Sequence, residues 1–431
     1  MQPKGWTTEQ ESSKPCAVPF GNIRTGAGKW FFTKERLPPP NNVFIILKTF
    51  KTIWKPVTMG ERQRGGIWML KNDLAKRLKT RYPMIQAPMA GGITTPELVA
   101  AVSNAGGLGM IGAGYLTAAQ TKEQIREIKQ LTGNLFGINF FVPGGFEAAN
   151  EKITAANDIL NRIRKQLKVE AKAEIEVPDL HRVQNQFLAQ VQVAVEEKVP
   201  VCSFTFGIPS GEVIERLKQN GILLIGTATT VDEAVEAEQA GMDMVVAQGS
   251  EAGGHRGNFL KDHEESMIGL MSLVPQVADN VRIPVIAAGG IMDGRGLAAA
   301  LCLGAKGVQM GTAFLACKES GAHQAHKEAV LHAKEDELVL TRSFSGKWAR
   351  GVKNAFISEM KPHEALFPDY PVQNALTQDI RKAAGKQNNR EFMSLWSGQS
   401  PRLAKHQTAK ALIDHVIKEA EETMGKMSQS L

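Results

Sequence analysis

Residues 245–258 hold the densest group of side chains in the chain that could take part in chemistry. Their sequence is VVAQGSEAGGHRGN, in which an apolar strand pattern ends at Gln248 and Gly253 and Gly254 precede His255. Glycine lets a backbone approach a ligand closely, and α/β proteins bind ligands at the carboxyl ends of buried strands. The stretch therefore predicts a ligand-binding loop, with a glycine-rich turn and a solvated tip as the alternative.

A second glycine-bearing segment, residues 283–314, alternates strand and helix patterns. Gly289 and Gly290 follow one strand, and Gly311 and Thr312 follow the next and open a helix. Helix N-termini offer free N–H groups and the positive end of the helix dipole, which favour an anion. In eight-stranded barrels the loops after strands seven and eight commonly hold a phosphate. We therefore expect a phosphate site made by backbone amides, with close helix–strand packing as the alternative.

Three further residues at strand ends suit a flat, heteroaromatic ligand. Met89 lies among glycines after the first strand and can cover the face of a flat ring, although core methionines are equally common. Asn139 ends the third strand and Gln248 the sixth. Their amides both donate and accept, as the edge of a flavin pyrimidine ring requires.

These residues belong to an alternation of apolar strands and amphipathic helices that begins near Met69. An alternating pattern of this kind predicts a parallel sheet, and a count of eight strands favours a closed (β/α)₈ TIM barrel over an open doubly wound sheet. No GxGxxG follows the first strand, which argues against a dinucleotide-binding fold. The predicted strands are Met84–Ala87, Gly109–Ile111, Phe136–Phe141, Val199–Phe204, Leu223–Ile225, Met244–Ala247, Val285–Ala288 and Val308–Met310.

Two segments interrupt the repeat of the predicted barrel domain, residues 69–340. Residues 143–182 form a charged, partly helical insertion after the third strand. In residues 341–431 the alternation of strand and helix patterns ends, and we expect this segment to pack on the barrel mouth as a C-terminal helical cap.

Residues 1–68 differ from the rest and carry the whole net charge of +7, since residues 69–431 hold 40 basic and 40 acidic residues. The predicted barrel has no basic excess, which argues against nucleic-acid binding. Arg64-Gly65-Gly66 can be encoded by a ribosome-binding sequence just before Met69. We therefore expect residues 1–68 to be a non-native or disordered extension, with a genuine basic arm as the alternative.

The four cysteines are scattered and form no CxxC pair, so we expect neither a metal site nor disulfides, and we predict a cytoplasmic protein. The longest apolar run near the start, residues 43–47, is too short to cross a membrane.

The segments GINFFVP, SFTFGIP, AQGSEAGGHRG, IPVIAAGGIMDGRG and GVQMGTAFL resemble the bacterial nitronate monooxygenases, and the resemblance extends from about Met69 to Ala404. It implies a TIM barrel with non-covalent FMN and the oxidation of alkyl nitronates by O₂ to a carbonyl compound and nitrite. Propionate 3-nitronate is one candidate substrate, and a homodimer is one candidate assembly. The FMN contacts that the resemblance implies are Asn139, Gln248, Gly253, Gly290, Gln309, Met310, Gly311 and Thr312, to which the glycine pattern adds Met89, Gly254 and Gly289.

One residue departs from that family pattern. Relatives that oxidise neutral nitroalkanes place a histidine in the strand-four segment as a base, whereas this chain has Thr205 there. Threonine does not remove a carbon-bound proton near neutral pH, so the sequence predicts an enzyme selective for nitronates. His255 remains a candidate polar contact to flavin or substrate, with a structural hydrogen bond as the alternative.

Three other functions remain open from the sequence. The first is a flavin-type enoyl-ACP reductase that uses NAD(P)H. The second is a flavin-free barrel for a phosphorylated metabolite, and the third is a flavin- or phosphate-binding module without catalysis.

Overall fold

Eight parallel strands form a closed barrel in the computed structural model, which describes residues 70–146, 149–173 and 176–430. Each strand pairs in parallel with its neighbours, and a bridge between Ile85 and Leu108 joins the first strand to the second. The predicted barrel is confirmed, and the predicted extension 1–68 lies outside the described residues. The barrel strands are β1 (Met84–Gln86), β2 (Gly109–Gly112), β3 (Phe136–Phe141), β4 (Val201–Thr205), β5 (Leu223–Ala228), β6 (Met244–Gln248), β8 (Val285–Ala288) and β9 (Gly307–Met310), and β7 (Gly254–His255) belongs to a smaller sheet.

Several helices start where the sequence supplies a capping side chain. Thr95 Oγ1 accepts from Leu98 N at 3.1 Å, and Thr117 and Gln120 form a reciprocal capping box. The helices are α1 (Asp73–Arg77), α2 (Pro96–Asn104), α3 (Ala118–Leu131), α4 (Asn150–Gln166), α5 (Leu180–Glu196), α6 (Gly211–Gln219), α7 (Val231–Gln239), α8 (Leu270–Asn280), α9 (Gly294–Cys302), α10 (Thr312–Leu315), α11 (Gln324–His332), α12 (Ala355–Met360), α13 (Val372–Leu376), α14 (Gln378–Lys386) and α15 (Ala409–Ser430).

The barrel buries apolar side chains in two layers. The larger layer lies between the strands and the surrounding helices. A smaller layer involves residues of β1, β2, β4, β5, β6 and β8 together with α1. Successive side chains of a strand point to opposite faces, so the strands of a closed barrel have apolar residues at nearly every position.

The insertion after β3 packs with the C-terminal tail in a separate apolar cluster. Its helix α4 carries the fully buried Arg164, whose Nε donates to Oδ2 of Asp379 at 2.8 Å. The next helix, α5, packs on α3 and β3 as a barrel helix from Leu180, so residues 180–182 belong to the barrel and not to the insertion.

A three-stranded antiparallel sheet connects the tail to the loop after β6. Strand β10 (Leu338–Thr341) pairs with β11 (Ala349–Val352), and β11 pairs with β7. Ala349 lies opposite His255, and Trp348 O accepts from Arg256 N at 2.8 Å. The tail therefore holds the glycine-rich loop by backbone pairing.

The final helix, α15, packs along α9 and α2 in the outer ring of the barrel. Gly294 begins α9 directly against it, and Glu419 of α15 accepts from Gly294 N at 2.8 Å. The sequence predicted this helix as part of a cap on the mouth. Since only the short helices α10 and α11 follow β9 before the tail begins, α15 instead completes the helical ring on the flank of the barrel.

Within the described residues, no helix combines the length and the apolar character that a membrane crossing needs.

Candidate active site

A cavity opens at the carboxyl ends of the strands, where the sequence predicted a ligand site. It encloses about 1220 Å³, including space that is open to solvent. Met310 does not line it, because Gln309 faces the cavity and Met310, next along the strand, packs in the main core. The other predicted site residues all line it: Met89, Asn139, Thr205, Gln248, Gly253, Gly254, His255, Gly289, Gly290, Gln309, Gly311 and Thr312.

One side of the cavity presents backbone N–H groups that have no acceptor. Those of Gly290, Ile291, Gly311 and Thr312 donate no hydrogen bond within the described part of the chain. Gly290 has φ +64°, a left-handed conformation that favours glycine. Buried N–H groups are nearly always paired, so this side of the cavity is built to receive an anionic or strongly accepting ligand.

The three amide side chains of the site differ in what they leave for a ligand. Asn139 Nδ2 donates to Ser203 Oγ at 2.9 Å and to Thr205 Oγ1 at 3.1 Å, and its Oδ1 accepts nothing from the described residues. The Gln309 amide makes no hydrogen bond to them at all. Asn139 therefore offers an acceptor, and Gln309 offers both a donor and an acceptor.

Gln248 is already engaged with its own loop. Its Oε1 accepts from Gly257 N at 2.8 Å and its Nε2 donates to His255 O at 3.1 Å. The sequence predicted that this amide would donate to and accept from the edge of a flavin ring. The structure shows that Gln248 fixes the path of the loop, so only its second N–H and second lone pair remain for a ligand.

Two buried arginines hold the start of the same loop. Arg256 Nη1 donates to Gly249 O at 2.6 Å and its Nη2 to Gln248 O at 3.1 Å. Arg350 of β11 donates from Nη2 to Ser250 O at 2.9 Å. Burial lowers the pKa of Arg256 to about 10, so the side chain stays charged at neutral pH. These charge-assisted bonds keep the loop rigid at the edge of the cavity.

His255 is a neutral side chain in an aromatic setting. Its Nε2 lies 2.8 Å from Ser345 Oγ, and Ser345 Oγ in turn donates to Lys347 O at 3.0 Å. Because the serine proton goes to the carbonyl, the imidazole proton sits on Nε2. Burial, and then the positive charges of Lys347 and Arg381, lower the pKa of His255 to about 3. The imidazole is therefore uncharged at neutral pH and a weak base.

Several lining residues were not predicted from the sequence. They come from the tail, from the end of β3 and from loops after β2 and β4, and include Tyr115, Phe141, Phe206, Trp396, Ser397, Gly398 and Ser400. Gly398 N donates to Thr312 Oγ1 at 2.9 Å, and Gln399 N donates to Glu251 O at 3.0 Å. The sequence signal was the glycine-bearing segment around Trp396, which marks an irregular loop but not the surface that it covers.

The fold and the cavity together place the chain in the class of (β/α)₈-barrel enzymes, with a candidate site at the carboxyl ends of the strands and one side lined by backbone N–H groups that have no acceptor among the described residues. Residues 72–419 match the sequence profile of the nitronate monooxygenase family. The chain belongs to this family, and it is therefore an oxidoreductase of nitronates.

Individual relatives agree with this assignment. A probable nitronate monooxygenase of Staphylococcus haemolyticus is 53% identical over 350 residues, which cover 81% of this chain and 96% of that protein. One from Staphylococcus aureus is 50% identical over 355 residues, covering 82% and 98%. The crystal structure of nitroalkane oxidase from Streptomyces ansochromogenes superposes with a TM-score of 0.76 at 40% identity, over 82% of this chain and 99% of that one. FabK from Thermotoga maritima gives 0.66 at 32% identity, over 83% and 98%.

Proposed function

We propose that the protein binds FMN without a covalent link and oxidises alkyl nitronates with O₂, giving a carbonyl compound and nitrite. The observation that carries this proposal is the absence of an effective base among the residues that line the cavity. Of the described residues that line the cavity, Tyr115 and His255 alone have titratable side chains. Burial raises the pKa of Tyr115, and the pKa of His255 is lowered to about 3. A substrate that still carries its carbon-bound proton would find no partner for it.

Thr205 supports the same selectivity. Its Oγ1 accepts from Asn139 Nδ2 at 3.1 Å and lies at the end of β4, where related nitroalkane-oxidising enzymes are expected to have a histidine. A hydroxyl group cannot take a proton from carbon near neutral pH. A nitronate has already lost that proton, so it suits this site.

The cavity suits both chemically distinct parts of FMN, the phosphate and the ring system. The unpaired N–H groups of Gly290, Ile291, Gly311 and Thr312 suit the phosphate, and the Ser400 side chain lies beside Gly290. The free Oδ1 of Asn139 and the free amide of Gln309 suit the donors and acceptors on the edge of the ring system.

When bound, FMN would supply the electron transfer between nitronate and O₂. The part of this chain would be to hold and orient both partners. Gln309 and Asn139 would fix the ring, and the tail segment 396–400 would limit the access of water to the cavity.

The test is to compare substrates that differ by one proton. Purified protein should show a flavin spectrum and should release nitrite at once from pre-ionised ethyl nitronate. Freshly dissolved nitroethane at the same pH should react no faster than it ionises in solution. Faster reaction of the neutral compound would overturn the selectivity, and rapid NAD(P)H oxidation stimulated by an enoyl thioester would favour the reductase alternative.

Two further parts of the proposal concern the setting of the enzyme. We further propose that the enzyme is cytoplasmic, and the free thiols of Cys202, Cys302 and Cys317 support this location. We also propose that the protein forms a homodimer, which sedimentation analysis would test.

A further inference from the structure

The backbone ladder between the first two barrel strands is short. Leu108 N donates to Met84 O and Gln86 N donates to Leu108 O, each at 2.9 Å. A regular parallel ladder would continue with a bond from Met110 N to Gln86 O and another from the N–H of residue 88 to Met110 O. Residue 88 is proline, which has no N–H group. The backbone ladder between β1 and β2 therefore ends at Gln86.

The side chain of Gln86 replaces the next step of that ladder. Gln86 is fully buried, and its Oε1 accepts from Met110 N at 3.0 Å. Its Nε2 donates to Met110 O at 3.2 Å and also to Ala87 O. A primary amide has the donor and the acceptor of a peptide group, so both polar groups of Met110 are paired without a backbone partner. The backbone from Pro88 onward is then able to leave β2.

Thr94 holds the far end of the departing segment. The residue is only 3% exposed, and its Oγ1 accepts from Gly112 N at 2.8 Å and donates to Met89 O at 3.3 Å. Gly112 ends β2, and a Cβ atom there would lie 2.6 Å from the carbonyl carbon of Met89. Residues 87–90 therefore lie directly against the end of β2, joined to it by one buried hydroxyl group.

The segment 87–90 lines the candidate active site along its whole length, whereas neither Gln86 nor Thr94 lines the cavity. The N–H groups of Met89 and Ala90 donate no hydrogen bond within the described part of the chain. Once a ligand excludes water from the cavity, these two donors need acceptors on that ligand. The segment thus offers a ligand two N–H groups whose place is set by side chains behind the cavity wall.

We propose that Gln86 and Thr94 are positioning residues for the flavin, because their side chains hold segment 87–90 where the N–H groups of Met89 and Ala90 are available to bound FMN. The inference rests on the proposed function and adds two residues that act on the cofactor through the backbone of others. The flavin ring system carries nitrogen and carbonyl acceptors, which two N–H donors require. Hydrogen bonds weaken steeply with distance and angle, so a displaced segment would lose them.

The first experiment removes the hydroxyl group of Thr94. Thr94→Val leaves Met89 O and Gly112 N without their partner, so segment 87–90 should shift. The dissociation constant of FMN, measured by flavin fluorescence with flavin-free protein, should rise roughly 10-fold or more. The visible absorption bands of the bound flavin should change shape as well. Thr94→Ser keeps the hydroxyl group and should restore the affinity to within about 3-fold of the unaltered protein.

Thr121→Val is the matched control. Thr121 is also fully buried, and its Oγ1 donates to Thr117 O at 2.9 Å on helix α3, away from the cavity lining. This variant loses a buried hydroxyl group and some stability, but its FMN affinity and flavin spectrum should equal those of the unaltered protein. A general loss of stability would therefore not mimic the expected result.

The second experiment follows amide hydrogen exchange in the flavin-free proteins. The N–H group of Gly112 should exchange roughly 10-fold faster or more in Thr94→Val than in Thr121→Val, because its acceptor is lost. Gln86→Met removes every hydrogen bond of that side chain and should do the same at Met110, with a loss of FMN affinity. Thr94→Val carries the test if Gln86→Met does not fold.

The outcomes separate this proposal from the proposed function. If the unaltered protein binds FMN and Thr94→Val matches Thr121→Val in affinity and spectrum, the positioning role is overturned and FMN binding stands. A loss of affinity in Thr94→Val that Thr94→Ser does not restore would also overturn it. If the unaltered protein binds no FMN, the proposed function is overturned, and the positioning role is overturned with it.

Discussion

Gly253 lies directly against the backbone of Ser397, and a Cβ atom on Gly253 would be 2.5 Å from the carbonyl carbon of Ser397. This contact joins the loop after β6 to the tail segment that closes the cavity. Cβ atoms do not approach backbone atoms so closely, so the contact excludes every residue except glycine. The tail segment and the glycine-rich loop therefore pack together as one structural unit.

Gly253→Ala tests that unit. The added methyl group should displace residues 396–400 and cost about 1–3 kcal/mol of stability, as overpacking typically does. Retention of the proposed FMN after desalting should fall as well, because Gly398 and Ser400 line the cavity. Gly385→Ala is the control, since no atom lies within 4 Å of its added Cβ and alanine favours helix α14. Equal stability and FMN content in the two variants would contradict the expectation.

Thr205→His should add some oxidation of neutral nitroalkanes. A well-placed general base is worth roughly 10²–10⁴-fold, and we expect a gain at or below the lower end of that range. The reason is that Asn139 Nδ2, which now donates to Thr205, would occupy one nitrogen of the new imidazole. The measurement is initial nitrite release from freshly dissolved nitroethane, with Thr205→Val as a control that has no base. A gain in the valine variant as large as that in the histidine variant would exclude proton transfer as its cause.

His326 should make stability depend on pH. Burial lowers its pKa to about 4, and its Nε2 donates to Trp396 O at 2.9 Å. Between pH 6.5 and about 4 the unfolded chain binds a proton that the folded chain does not, so stability falls as pH falls. His326→Gln should reduce that slope by up to roughly 1.4 kcal/mol per pH unit. Denaturant titrations of both proteins at several pH values in this window measure the slope, and an unchanged slope in His326→Gln would contradict the expectation.

Gly294→Ala should separate α9 from α15. The added Cβ would lie 2.5 Å from Val416 O, so the two helices would have to move apart. We expect a loss of about 1–3 kcal/mol in chemical denaturation. Gly211→Ala is the matched control, because Gly211 also begins a helix and its added Cβ would meet no atom within 4 Å. A Gly294→Ala protein as stable as the Gly211→Ala protein would show that α15 packs loosely.

The barrel could be predicted because its signals are local. Strand β3 begins and ends at the predicted residues, Phe136 and Phe141, and β4 differs from its prediction by two residues at its start and one at its end. The strand-end glycines Gly289, Gly290 and Gly311 also line the cavity, and their meaning depends only on the strand that precedes them. Each of these signals lies within a window of about ten residues.

The remaining features depend on contacts between distant segments. Arg164 lies on helix α4 of the charged insertion, and nothing local indicates that it is buried and bonded to Asp379, which lies 215 positions later. Gln248 lines the cavity, but its bonds to Gly257 and His255 depend on how the loop folds back. The pattern of α15 shows that it has a buried face but not which helices cover that face.

The position of α15 also has a consequence for the order of folding. The outer ring of the barrel closes only when residues 409–430 reach α9 and α2, which come much earlier in the chain. During synthesis the barrel strands emerge first, and their apolar surface beside α2 and α9 stays uncovered until the last helix leaves the ribosome. Contacts over so long a separation form slowly, and uncovered apolar surface favours aggregation. Completion of the chain is therefore itself a folding step, and a chain interrupted before residue 409 would be expected to be degraded or to aggregate.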